Sequence, residues 1–203
     1  LYKFGGPEDI LYKQKPHIGT DVLKVVVTNL RNKVIELGGE VRFSNQVTGI
    51  LKEGDKLTGL VVEGPEGKYE IPCDKAVFSI GHSARDTFEL LYKKDFKMSA
   101  KPFSVGARIE HPQSLVNECQ YGSYAKSNKF GSADYKLSYH TKEGRGVYTF
   151  CMCPGGNVIG ASSEFSGVVT NGMSYHKRDG KNANSAFLVS VSPLDFGTHP
   201  LDG

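Results

Sequence analysis

The sequence predicts an α/β chain in which helices are mixed with mostly antiparallel strands. Three observations lead there. One clear amphipathic helix reads from Thr20 to Leu37, a run of turn-separated strands follows it, and from about residue 100 short strands and glycine turns dominate.

Residues 1–15 are loop-like, with Gly5, Gly6, Pro7 and then Pro16 as punctuation. The helix follows, with Thr20 or Asp21 as its N-cap and Leu23, Val26, Val27, Leu30, Val34 and Leu37 recurring on one face. Gly38-Gly39 closes it, because a glycine past the last apolar residue adopts the left-handed C-terminal turn without strain. Glu40 to Phe43 reads as a short strand. Val47–Lys52 and Lys56–Glu63 form hairpin arms around Glu53-Gly54-Asp55, and Gly64-Pro65-Glu66-Gly67 turns the chain into Lys68–Pro72. Lys75 to Ile80 is apolar on both faces, as a buried strand should be. A second amphipathic helix runs from Ala84 to Tyr92, with Ser83 as its cap. Beyond Pro102 the expected strands are Ser104–Glu110, Tyr135–His140, Val147–Cys153, Asn157–Ser162 and Phe187–Val191, with a short helix at Gln113–Cys119. The change of character near residue 100 divides the chain into 1–98 and 99–203.

The formal charge of +3, from 25 basic and 22 acidic side chains, gives no basic stripe and argues against a nucleic-acid partner. No apolar run approaches the roughly 20 residues of a membrane helix, and the N-terminus has no signal-peptide core. Four cysteines are too few for a disulfide framework, so the expected setting is a reducing cytoplasm. The chain starts at Leu1 rather than Met and stops at Gly203 in a Pro/Gly-rich stretch, so both ends read as cuts in a longer protein.

The order helix, Gly-Gly, strand, meander, buried strand and small-residue turn (Ser79 to Ser83) resembles the second half of the FAD-binding domain in flavoproteins related to glutathione reductase. Longer stretches narrow the resemblance: Lys15 to Asp21, Gly81 to Thr87, Lys101 to Phe103, Arg108 to Pro112, Tyr148 to Gly156 and Val169 to Ser174. Together they look like the uncharacterised FAD-dependent, or NAD/FAD-utilising, dehydrogenase family. The resemblance implies part of an FAD-binding domain over residues 1–98 and a β-rich substrate domain over 99–203. It also implies FAD as cofactor, with NAD(P)H as one possible electron donor and a small-molecule substrate. The family's G-x-G-x-x-G turn, which seats a pyrophosphate on a helix N-terminus, is absent from these 203 residues. The chain alone should therefore hold little or no FAD and be inactive. Two rivals are a ligand-binding module without redox chemistry and a flavoenzyme domain that docks a macromolecule such as tRNA.

Strand alternation predicts that Cys151 and Cys153 share a face with Thr149, while Phe150 and Met152 point the other way. The two thiols are small core residues, redox groups facing a flavin, or a pair of metal ligands without zinc-like partners. Arg108 stands in an apolar strand and needs a partner or a cleft, with an anionic substrate, Glu110 or Glu164 as options. By resemblance, His17, Gly19, Thr20 and Asp21 lie near the flavin, as do Gly81, His82, Ser83 and Arg85 after the buried strand. Helix capping accounts equally for Thr20 and Asp21, and a surface ion pair with Asp86 for Arg85. The same resemblance brings Asn171, Gly172 and Met173 toward the cofactor, with Ser174, His176, Arg178 and Asn184 as further polar candidates.

Overall fold

The structure is a computed structural model and describes residues 1–127 and 129–202. Two 3-10 turns, Tyr2–Phe4 and Glu8–Leu11, precede α1 (Thr20–Glu36). Strands β1 (Gln46–Glu53), β2 (Lys56–Gly64) and β3 (Gly67–Pro72) lead to α2 (Arg85–Lys93). Then come β4 (Phe103–Pro112), α3 (Gln113–Tyr121), a 3-10 turn at Gly122–Tyr124, β5 (Ser138–His140) and β6 (Gly146–Cys153). The last elements are β7 (Gly156–Gly160), β8 (Thr170–Ser174), β9 (Asn182–Val191) and the single turn α4 (Pro193–Phe196). This is the expected mixture of helices with antiparallel sheets.

These elements form two compact units, one of Leu1–Gly39 with Pro102–Val191 and one of Glu40–Lys101 with Ser192–Gly203. A break falls near residue 100, but α1 groups with the later strands instead of with the meander that follows it in sequence. The reason is a set of hydrogen bonds between residues 17–21 and 174–176, more than 150 positions apart.

In the first unit, β4, β9, β6 and β5 make an antiparallel sheet in that order, and β7 and β8 form a separate hairpin. Its small core joins Val116 of α3 to Ala133 and Ala183, with Tyr121, Tyr135 and Met152 around them. Gln113, 6% exposed, is the polar hub beside that core. Its Nε2 donates to the Ala133 carbonyl and to Asn117 Oδ1, both at 2.9 Å, and its Oε1 accepts from the Gly155 amide at 2.8 Å. Helix α1 follows the expected period, and Gly38 takes the left-handed turn (φ 86°). Yet only Val26 of its apolar stripe is buried, and Leu23, Val27, Val34 and Leu37 stay exposed. Neither Thr20 nor Asp21 caps it: the N-cap is Gly19, with no side-chain cap bond.

The second unit is built on the antiparallel meander β1-β2-β3, whose two turns fall where the sequence puts them. Two expected strands are not formed. Residues 40–43 are irregular and exposed. Lys75–Ile80 also stays irregular, with Val77 91% exposed. A strand apolar on both faces requires neighbours along its edges and layers above and below, and no described strand pairs with this segment. Ser83 does not cap α2, whose N-cap is Ala84.

Replacing Gln113 by Met keeps the volume but strands the Gly155 amide and the Ala133 carbonyl. The expected loss is about 2–4 kcal/mol of unfolding free energy, read from urea denaturation, against less than about 0.5 kcal/mol for Lys33→Ala on the surface of α1. A Gln113→Met loss no larger than the Lys33→Ala control would show that the hub is dispensable.

Candidate functional site

The pairing of β4 with β9 and of β9 with β6 decides which side chains meet. Arg108 stands opposite Ala186, which faces Phe150, and Glu110 stands opposite Asn184, which faces Cys153. Residues two apart on a strand share a face, so Arg108, Glu110, Asn184 and Cys153 all project from one side of the sheet. Arg108 Nη1 donates to Asn184 Oδ1 at 2.7 Å and to the Cys151 carbonyl at 3.2 Å. Its partners are therefore a neutral carboxamide and a backbone carbonyl. Glu110 is engaged elsewhere, accepting from Asn182 Nδ2 at 2.7 Å and from the Val158 amide at 3.3 Å. Asn184 is fully buried, and its Nδ2 and the Arg108 Nε have no hydrogen-bond partner.

Strand β8 closes over this cluster at Gly172. A Cβ there would sit 2.2 Å from Asn184 Oδ1, 2.3 Å from Arg108 Nη1 and 2.9 Å from Cys153 Sγ, so no other residue fits without displacing them. Its neighbour Asn171 turns its own Oδ1 onto the Gly172 amide at 2.8 Å, and Met173 faces Asn157 across the hairpin.

The thiols depart from simple alternation. From Phe150 to Cys153 strand β6 advances three residues while β9 advances two, from Ala186 to Asn184. This bulge re-aims the side chains, and Cys151 sits in it with a left-handed backbone (φ 49°). Cys151 is exposed, whereas Cys153 is buried and donates to the Cys151 carbonyl at 3.2 Å. The register thereby puts Cys153 on the face of Phe150, where simple alternation had put it with Thr149. Burial pushes the Cys153 thiol up from its ordinary range, the neighbouring Cys151 adds to this, and Arg108 opposes it. Both thiols are unbridged. Among the described residues no three His, Cys, Asp or Glu side chains converge as metal ligands.

A second cluster joins the loop before α1 to the turn after β8. His17 Nε2 bonds the Tyr175 carbonyl at 3.0 Å, and His176 Nδ1 bonds the Ile18 carbonyl at 3.1 Å. The His176 amide donates to Asp21 Oδ1 at 2.9 Å, and Thr20 Oγ1 donates to the Ser174 carbonyl at 3.4 Å. The two imidazoles lie parallel, within 4°, with centroids 6.2 Å apart. Gly19 (φ 85°) lets the segments touch, since a Cβ there would be 2.2 Å from the His176 nitrogen. The amide of His176 holds the Asp21 carboxyl below its ordinary range. Burial holds the His17 imidazole below its own, with Arg178 and His176 acting in the same direction and the Tyr175 carbonyl and Asp21 opposing.

Thus the structure brings Arg108, Cys151, Cys153, Gly172 and Asn184 together, and separately His17, Gly19, Thr20, Asp21, Ser174, His176 and Arg178. Gly81, His82, Ser83 and Arg85 belong to the second unit, where Gly81 (φ 69°) forms the turn before α2. Sequence reasoning passed over Asp9, Lys13 and Lys15, which line the His17 cavity. The signal was the spacing of Lys13, Lys15 and His17 at every second position.

Residues 102–203 match a family model described as "FAD-dependent protein, C-terminal domain-like". Over its whole length the chain is 50% identical to a Clostridium beijerinckii protein described as uncharacterized, of which it spans 38%. Among the described residues no helix is long and apolar enough to cross a membrane.

The raised Cys153 thiol makes a clear prediction. With Cys73, Cys119 and Cys151 replaced by Ser, iodoacetamide alkylation of Cys153 should be slow. Its rate should climb only above the pH at which ordinary thiols ionise, because alkylation requires the thiolate. A rate that levels off within the ordinary thiol range would contradict its burial.

Proposed function

The chain belongs to the FAD-dependent protein family, in its C-terminal domain-like part, and from that premise we propose that it is a section of an FAD-dependent oxidoreductase related to the glutathione-reductase-like flavoproteins. The single observation that carries the reading is the family match over residues 102–203, and the polar cluster under Gly172 supplies the charge it needs. Arg108 Nε and Asn184 Nδ2 are buried N–H donors without acceptors on one sheet face, and buried donors are normally satisfied.

Bound FAD would supply hydride or electron transfer, with NAD(P)H as the proposed electron donor. The chain's own residues would orient and polarise. Arg108 would place a fixed positive charge where negative charge develops, and Asn184 would hold the guanidinium in one orientation. Asn171, Gly172 and Met173 would hold β8 over the Arg108 and Asn184 side chains. Cys153, kept protonated by burial, would serve as a neutral neighbour, with the exposed Cys151 as the thiol open to redox exchange. Gly19, Thr20 and Asp21 would fix the segment that follows β8. The pyrophosphate would be seated by a Gly-rich turn outside these residues, so this section alone would retain little flavin.

The test uses the full-length protein. Flavin absorbance bands should persist after FAD addition and desalting. Arg108→Gln should slow anaerobic flavin reduction on the order of a hundredfold, the scale of losing one donor aimed at developing charge. Cys151→Ser should change the reduction kinetics or the flavin spectrum. Full-length protein that shows no flavin bands before or after FAD addition and desalting would end this reading.

A further inference from the structure

The cavity beside His17 is distinct from the Gly172 cluster and is left unused by the oxidoreductase reading. It encloses about 160 Å³ and is lined by Asp9, Lys13, Lys15, His17, His176 and Arg178. That is well below the roughly 300–1,000 Å³ of sites for ring-sized ligands, so it suits a single compact group. Its lining carries three cations and one carboxylate, with Asp134 paired to Lys15 at its rim.

Arg178 is the informative member. Its backbone is left-handed (φ 53°), a conformation that costs a non-glycine residue energy and persists only where the surroundings hold it. They do so here. Ser132 Oγ donates to the Arg178 carbonyl at 2.6 Å, and Gly155 packs so closely that a Cβ would fall 2.0 Å from that oxygen. The guanidinium delivered by this arrangement keeps its Nε buried and without a partner. Lys15 is held by Asp134 at 2.9 Å, and Lys13 by Asp9 at 2.6 Å. Each imidazole gives one nitrogen to a backbone carbonyl, which leaves His17 Nδ1 and His176 Nε2 uncommitted. Cations, imidazoles and an orphaned guanidinium around a small bowl fit a compact dianion.

We propose that this cavity binds a phosphoryl group, carried as a phosphate monoester or a pyrophosphate. The ligand is either a small phosphorylated molecule or the phosphate arm of a nicotinamide dinucleotide, and both present the same oxygens. Arg178 and Lys15 supply the charge, while His17 gains a proton as the anion enters. The groups facing His17 are Arg178 and His176, which disfavour its protonation, and Asp21, which favours it; Asp9 and Lys13 complete the surroundings. A bound dianion adds negative charge, so the His17 titration should move upward on binding.

The experiment is diethyl pyrocarbonate labelling of the full-length protein, read by mass spectrometry at His17 and His176. Inorganic phosphate should protect both saturably, whereas chloride or acetate at equal ionic strength should not. The pH midpoint of His17 labelling should rise in phosphate. Arg178→Asn, chosen because Asn tolerates the left-handed backbone, and the surface variant Lys15→Gln should each weaken protection about tenfold or more. Absence of protection, equal protection by acetate, or full protection in both variants would overturn the proposal. Repeating the assay with NADPH bound distinguishes the sources. Loss of the phosphate response assigns the phosphoryl group to the dinucleotide, and persistence assigns it to a second ligand. Phosphate protection without flavin binding would sink the oxidoreductase reading and leave this site standing, and flavin binding without protection would do the reverse.

Discussion

Ten cross-strand pairs hold β4 against β9 without a register shift, and the chemistry of the first unit depends on that regularity. It sets Arg108 two positions from Glu110 on one face and places Asn184 between Glu110 and Cys153. A charge in an apolar strand is costly unless it is paired and hydrogen-bonded. Here the compensation is a neutral carboxamide and a backbone carbonyl, so the guanidinium keeps its full charge instead of being cancelled by a carboxylate. Glu110, the nearest acid in sequence, is occupied by Asn182 and the Val158 amide. The closeness of β8 completes the arrangement, because only a residue without a Cβ can lie over Asn184 and Arg108 at Gly172. That glycine marks close approach rather than a turn.

Much of this fold was legible because it rests on local rules. The 3.6-residue period of α1, the left-handed glycine that ends it and the two turns of the meander are properties of short segments, and each formed as written. What could not be read depended on neighbours. Lys75–Ile80 has the composition of a central strand, but composition does not say whether other strands flank it, and here it lies exposed. The bulge at Cys151 was hidden for another reason. Bulges that use a glycine announce themselves, whereas this one places a cysteine in the left-handed region, and period-2 alternation then fails at the two thiols. The cluster under Gly172 was only half visible: Arg108 stood out as a charge in an apolar strand, but its union with Asn184 follows from register alone.

Thr20 and Asp21 illustrate how one residue type serves two structural ends. Both are good helix caps, and the sequence gives no ground for another use. In the structure their side chains instead bond the Ser174 carbonyl and the His176 amide, while His17 and His176 reach across in opposite directions. The helix forgoes a side-chain cap, and the N-terminal loop gains an anchor more than 150 residues away. Closing so long a loop is not prohibitive, because its entropic cost grows only with the logarithm of length. The hydrogen bonds then return their energy in a partly buried setting, and the cavity lined by His17, His176 and Arg178 exists only because the two segments are joined.

Among the described residues, two of the five non-glycine positions with positive φ, Cys151 and Arg178, stand at the two polar clusters. Each is held through its own carbonyl: Cys151 by Arg108 Nη1 and Cys153 Sγ, Arg178 by Ser132 Oγ. Left-handed backbone at such residues costs on the order of 1–3 kcal/mol and survives only where the surroundings over-determine it. The donors that hold the strain are themselves site residues or their direct supports. Packing and chemistry are consequently carried by the same atoms. Removing Arg108 would take a donor from the Cys151 carbonyl in the bulge, and loosening Ser132 or Gly155 would let the Arg178 guanidinium drift from the imidazoles. The Arg108 cluster cannot be altered as chemistry alone, since the guanidinium that offers the charge also bonds the Cys151 carbonyl in the bulge.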